Sequence, residues 1–190
     1  MDKHSILKGL PLSKQISFTA MFAALCCAST LVLTIPLPAS GYFNVGDVFV
    51  LLSAWCLGPL FGCLAAGLGS ALADVLSGFV LYAPATLIIK GLMAFIAYMV
   101  WAFLKKFIPS EKLDTPTRTV AAILSECVMV LGYFLFESML YGTVGALPNV
   151  LGNCIQGTCC LILASILCTC LYHVKPVRRY FPFLVYTPCA

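Results

Sequence analysis

Residues 47–77 read DVFVLLSAWCLGPLFGCLAAGLGSALADVLS, and the number of helices they form decides the fold. As one helix the stretch would be ~46 Å long, against ~30 Å of bilayer hydrocarbon. Gly58-Pro59 interrupts it in the middle, where glycine loosens the backbone and proline stops a helix. The stretch is therefore read as two short helices, about 47–58 and 60–77, joined by a tight turn. Outward from it, apolar runs predict further helices at about 15–35, 84–104, 119–141 and 148–171. The expectation is an all-α, polytopic membrane protein: a single six-helix bundle over residues 1–190. The first run, Gln15 to Ile35, could pass for a secretory signal with Ala39-Ser40-Gly41 as its cleavage site. Its apolar core is longer than a signal core, so it is read as an uncleaved helix ended by Pro36 and Pro38.

Composition supports a membrane domain. Of the 190 residues, 62% are hydrophobic and 9% charged, against roughly 25% charged in a soluble domain. Mean hydropathy is +1.03. Soluble enzymes, nucleic-acid readers and disordered chains are excluded on these grounds. All but one of the eleven Lys and Arg residues fall in the N-terminal tail (Lys3, Lys8, Lys14), the 104–118 loop (Lys105, Lys106, Lys112, Arg118) and the C-terminal tail (Lys175, Arg178, Arg179). Six helices put all three segments, and both termini, on the cytoplasmic side; five would put the 104–118 loop outside, against the positive-inside rule.

The eleven cysteines lie mostly in apolar runs and are read as small packing residues rather than as disulfides or metal ligands. No Walker A, GxSxG or HExxH motif is present, so no catalytic residue, metal or cofactor is expected.

The remaining basic residue, Lys90, falls inside the fourth span, and Asp47, Asp74, Glu126 and Glu137 lie within or at the ends of others. Ionisable groups at depth are costly and normally face a partner or a wet cavity. Counting along the helices puts Lys90, Glu137, Asn153 and Asp74 in the outer half, with Asp47 at the outer mouth and Glu126 nearer the cytoplasm. Glu126, Tyr133, Glu137 and Tyr141 share one helix face, and Asn149, Asn153 and Gln156 share another. Above them, residues 41–47 (GYFNVGD, with Asn44) and 78–84 (GFVLYAP, with Tyr82) supply aromatic lids. The expected site therefore comprises Asn44, Asp47, Asp74, Tyr82, Lys90, Tyr133, Glu137, Tyr141, Asn149, Asn153 and Gln156. Helix–helix pairing among these groups is the alternative; as a ligand site they suit a small, polar, planar molecule arriving from outside. Ala20 and Ala24, extended by Ala28, form a small-residue row on which a partner helix could dock.

The segments 41–47 (GYFNVGD), 57–62 (LGPLFG), 67–74 (GLGSALAD) and 82–91 (YAPATLIIKG) together resemble the substrate-binding S components of energy-coupling factor (ECF) transporters, in the riboflavin-type group. The resemblance implies six helices in a bacterial plasma membrane and capture of a vitamin or precursor. It also implies docking through the Ala20–Ala24 row on a membrane coupling protein (the T component) joined to two ABC ATPases. Among the vitamins of that group, the charged pocket leans to a pyridoxine- or hydroxymethylpyrimidine-like substrate. The competing readings are a self-sufficient small transporter or channel, and a membrane enzyme using the cysteines.

Overall fold

The structure, a computed structural model, describes residues 11–36, 42–108, 110 and 113–181. Lys3, Lys8, Pro38, Lys112, the Ala39-Ser40-Gly41 segment and the side chains of Arg178 and Arg179 lie outside the described residues. In chain order the elements are α1 (Leu12–Val32), β1 (Ile35–Pro36), β2 (Tyr42–Phe43), α2 (Asp47–Leu57), α3 (Pro59–Leu76), α4 (Ala83–Phe107), α5 (Asp114–His173) and α6 (Lys175–Tyr180). The two short strands, between α1 and α2, pair antiparallel with Ile35 opposite Phe43 and Pro36 opposite Tyr42.

Gly58 separates α2 from α3 at φ 82°, and its N–H still bonds to the Ala54 carbonyl at 3.0 Å, capping α2. Pro59 then opens α3 at a position where its missing N–H has no helical partner to lose. The sequence reading counted 47–58 among the spans; at eleven residues α2 covers only ~16 Å, about half of the hydrocarbon. Leu51, Leu52 and Trp55 of α2 are almost wholly buried, with Met93 of α4 and Met129 of α5. It is the central helix, wrapped by the others.

Residues 142–147, expected as a loop, are helical except for Gly142. At φ 75° and ψ 158°, Gly142 sits in a region that essentially only glycine occupies. There α5 folds back: Asn149 bonds to Glu137, and Gly157 packs on Glu126, so the arms 114–141 and 143–173 run antiparallel. A single residue makes the turn. Gly142, Gly145 and Pro148 together look like a loop in sequence, but Pro148 falls near the start of the second arm and is absorbed there.

Three glycines bring α3 close to its neighbours. A Cβ on Gly62 would meet the Ser53 carbonyl of α2 at 2.8 Å, one on Gly67 the Leu87 carbonyl of α4 at 2.7 Å, and one on Gly69 would collide with the Ala23 carbonyl of α1. The outer faces are apolar: Leu60, Leu64, Leu68 and Leu72 on α3, and Ile88, Leu92, Phe95 and Met99 on α4, are exposed. Such continuous apolar surface belongs against lipid. By length and apolar composition α1, α3, α4 and α5 are each able to cross a membrane, and α5, at ~90 Å of helix, can cross twice.

Candidate functional site

At the β1–β2 end of the bundle, side chains from five segments line a cavity of about 30 Å³, room for roughly one or two waters. Tyr42 and Asn44 come from β2 and the turn after it, Asp74 from the last turn of α3, and Tyr82 and Thr86 from the start of α4. Tyr133 and Glu137 come from the first arm of α5, Asn153 and Gln156 from the second. Helical spacing explains the convergence. Tyr82, Thr86 and Lys90 recur at four-residue intervals, as do Tyr133 with Glu137 and Asn149 with Asn153.

The upper layer is phenolic and acidic. The Tyr42 hydroxyl donates to Asp74 Oδ1 at 2.6 Å. Glu137 Oε1 accepts from Asn149 Nδ2 at 2.9 Å and, more weakly, from the Tyr82 hydroxyl at 3.5 Å. Thr86 and Tyr133 share a hydrogen bond of 3.0 Å. Burial, then the neighbouring Asp74 carboxylate, push the Tyr42 phenol above its usual pKa, so it remains a donor. Ring contacts roof the cavity: Tyr42 on Phe79 at 5.0 Å, Phe79 on Tyr82 at 6.1 Å and Tyr82 on Phe136 at 5.2 Å. Beneath this roof Asp74 Oδ2 and Glu137 Oε2 are buried and have no hydrogen-bond partner.

The lower layer is a closed network. Asp47 accepts from Lys90 on Oδ1 and from Gln156 Nε2 on Oδ2 at 2.6 Å. Gln156 Oε1 in turn accepts the Asn44 backbone N–H at 2.9 Å, and Asn44 Oδ1 accepts the Gly46 N–H at 2.9 Å. The Lys90 ammonium also lies 5.4 Å from the Tyr133 ring centre. Asp47 was expected at the outer mouth; it is instead fully buried. The Asn44–Gly46 turn bends inward, and Gly46 packs so tightly on the Thr30 hydroxyl of α1 that no side chain would fit there. The turn therefore seats the α2 N-terminus inside the bundle, where the helix dipole favours a carboxylate.

The structure thus brings Asn44, Asp74, Tyr82, Tyr133, Glu137, Asn153 and Gln156 to one cavity. Asp47, Lys90 and Asn149 stand behind its wall as partners of those residues. Tyr141, the last residue before the Gly142 break, is 46% exposed and stands apart from it. Sequence reasoning missed Thr86, whose signal was its place one turn before Lys90, and treated Tyr42 only as a lid aromatic. Glu126 lies outside the cavity, against Gly157, with neither carboxylate oxygen hydrogen-bonded. On α1, Ala20, Ala24 and Ala28 face outward while Phe22, Cys26, Cys27 and Thr30 face the core. Among the described residues the ten cysteines are unpaired, and no group of three His, Cys, Asp or Glu side chains is placed to hold a metal ion.

Comparison with known proteins gives the chain its relatives. The model of the family "ECF-type riboflavin transporter, S component" matches residues 12–173. An uncharacterized protein in the gap 3′ region of Pyrococcus woesei is 38% identical over 138 residues, 72% of this chain and 87% of that one. The thiamine precursor transporter HmpT of Lactococcus lactis subsp. cremoris (strain MG1363) is 25% identical over 156 residues, 81% of this chain and 85% of that one. A solved S component of a bacterial ECF transporter superposes with a TM-score of 0.61 at 22% identity, covering 85% of this chain and 96% of that chain, which shows a shared fold.

Proposed function

The chain belongs to the family of ECF-type riboflavin transporter S components, and from that premise we infer that it captures a vitamin precursor for an ATP-driven importer. Members of the family are membrane transport components, not enzymes. The observation that carries the substrate site is the cavity beside the Tyr42–Phe79–Tyr82 ring cluster, walled by carboxylates, amides and phenols. In a membrane segment such groups are costly unless a ligand or each other satisfies them. The substrate is a small heteroaromatic of pyridoxine or hydroxymethylpyrimidine type, and the similarity to a thiamine precursor transporter favours the pyrimidine.

On this reading the roofed end faces outside and Lys105, Lys106 and Arg118 face the cytoplasm of a multi-pass plasma-membrane protein. The cavity is smaller than any vitamin, so binding displaces the roof. No nucleotide-binding motif is present, so the energy comes from a T component and two ABC ATPases. Ala20 and Ala24, exposed on α1, form the face that meets the T component.

The test is mass spectrometry of small molecules that co-purify with the detergent-solubilised chain, followed by uptake in vesicles with and without the coupling module. A bound pyrimidine or pyridine, with uptake only when the module and ATP are present, supports the reading. Uptake by the chain alone replaces it with a self-sufficient carrier.

A further inference from the structure

On the reading that this cavity takes the substrate, the geometry points to a ligand that presents hydrogen-bond donors on two edges, as a ring bearing an amine and a hydroxymethyl group does, and to exclusion of its anionic, phosphorylated form. The argument is one of unmatched acceptors. Asp74 and Glu137 are only 5% and 2% exposed. Each has one oxygen already engaged, by Tyr42 and by Asn149 respectively. Each has a second oxygen, Asp74 Oδ2 and Glu137 Oε2, that is buried with no partner, and both residues line the same cavity.

A buried acceptor left without a donor costs more than the bond would contribute in water, and more again for a carboxylate. The nearest cation does not offset them. Lys90 is bonded to Asp47, and neither residue lines the cavity, so that pair is internally neutral. The cavity wall therefore carries two carboxylates and no free positive charge among the described residues. An aminated ring answers both: its exocyclic amine gives N–H bonds to one carboxylate, and a hydroxymethyl or ring N–H donor meets the other. Replacing the amine by a carbonyl turns a donor into an acceptor facing an acceptor. Adding a phosphate brings negative charge and further acceptor oxygens against a wall of acceptors, which is discrimination by repulsion.

The experiment is calorimetric titration of the purified chain with three probes: hydroxymethylpyrimidine bearing an exocyclic amine, its oxo analogue with a carbonyl in place of the amine, and its phosphate monoester. The amine is expected to bind about 10- to 100-fold more tightly than the oxo analogue, and the ester more weakly than either. Glu137→Gln keeps a carbonyl to accept the Asn149 bond, so its fold should survive while affinity for the amine falls by a similar factor and the gap to the ester narrows. Asp74→Asn is the second variant, with the melting temperature of the ligand-free protein reporting that each remains folded. Equal or tighter binding of the oxo compound or the ester overturns the inference, as does unchanged amine affinity in both folded variants. If a different vitamin binds and none of these probes does, the donor requirement falls while substrate capture stands. If no vitamin or precursor of any class binds, the capture reading itself falls.

Discussion

Lys90 of α4 donates its ammonium to Asp47 at the first position of α2, and the pair is shut off from solvent, 3% and 0% exposed. Each charge is tolerable there only because of the other. Lys90→Met should therefore destabilise the ligand-free protein by ~3–5 kcal/mol, by stranding a buried carboxylate. Asp47→Asn added to Lys90→Met should recover much of that loss, because an asparagine carbonyl can still accept from Gln156. Thermal unfolding in detergent checks both. An unchanged melting temperature in Lys90→Met would mean that this lysine is poised for the ligand and not for Asp47.

Gly69 faces the α1 backbone, where an added methyl would collide with the Ala23 carbonyl. Gly69→Ala should cost ~1–3 kcal/mol through overpacking, although alanine is the better helix former. Gly→Ala in an uncrowded helix would stabilise, so the sign of the change in melting temperature decides.

A methyl added at Gly142 would meet nothing within 4 Å, yet its φ is 75°. Gly142→Ala should thus be penalised by backbone strain alone, at ~1–3 kcal/mol. Asn149–Glu137 pairing depends on this turn, so ligand affinity should fall in the same variant. Loss of stability without loss of affinity would separate the turn from the site.

Ala20→Trp with Ala24→Trp enlarges two exposed side chains on α1. The melting temperature and ligand affinity of the isolated chain should be unchanged, while uptake with the coupling module is lost. A fall in ligand affinity would show that the face is internal.

Much of the cavity lining was legible because helical periodicity projects onto space. Tyr133 with Glu137, and Asn153 with Gln156, meet in the cavity because one face of each α5 arm carries them. Depth was harder to read. Counting residues from a helix end cannot reveal that the Asn44–Gly46 turn bends inward and buries Asp47, because that depends on Gln156, more than a hundred residues away, and on the fit of Gly46 to Thr30. The division between α2 and α3 was written in Gly58-Pro59, whereas the one-residue turn at Gly142 was obscured by Gly145 and Pro148, which belong to the helix after it.

The close approaches along α3 also set the mechanics of the protein. Gly62, Gly67 and Gly69 hold α3 against α2, α4 and α1 at separations that leave no room for a single methyl. A helix gripped on three sides can neither roll nor slide without steric collision. These four helices form a stiff keel, and the two glycines where an added methyl would meet nothing lie at its margins, Gly78 just before Phe79 of the aromatic roof and Gly142 between the arms of α5. An opening of the cavity is thus expected to move the roof against that keel and not to spread the four helices apart.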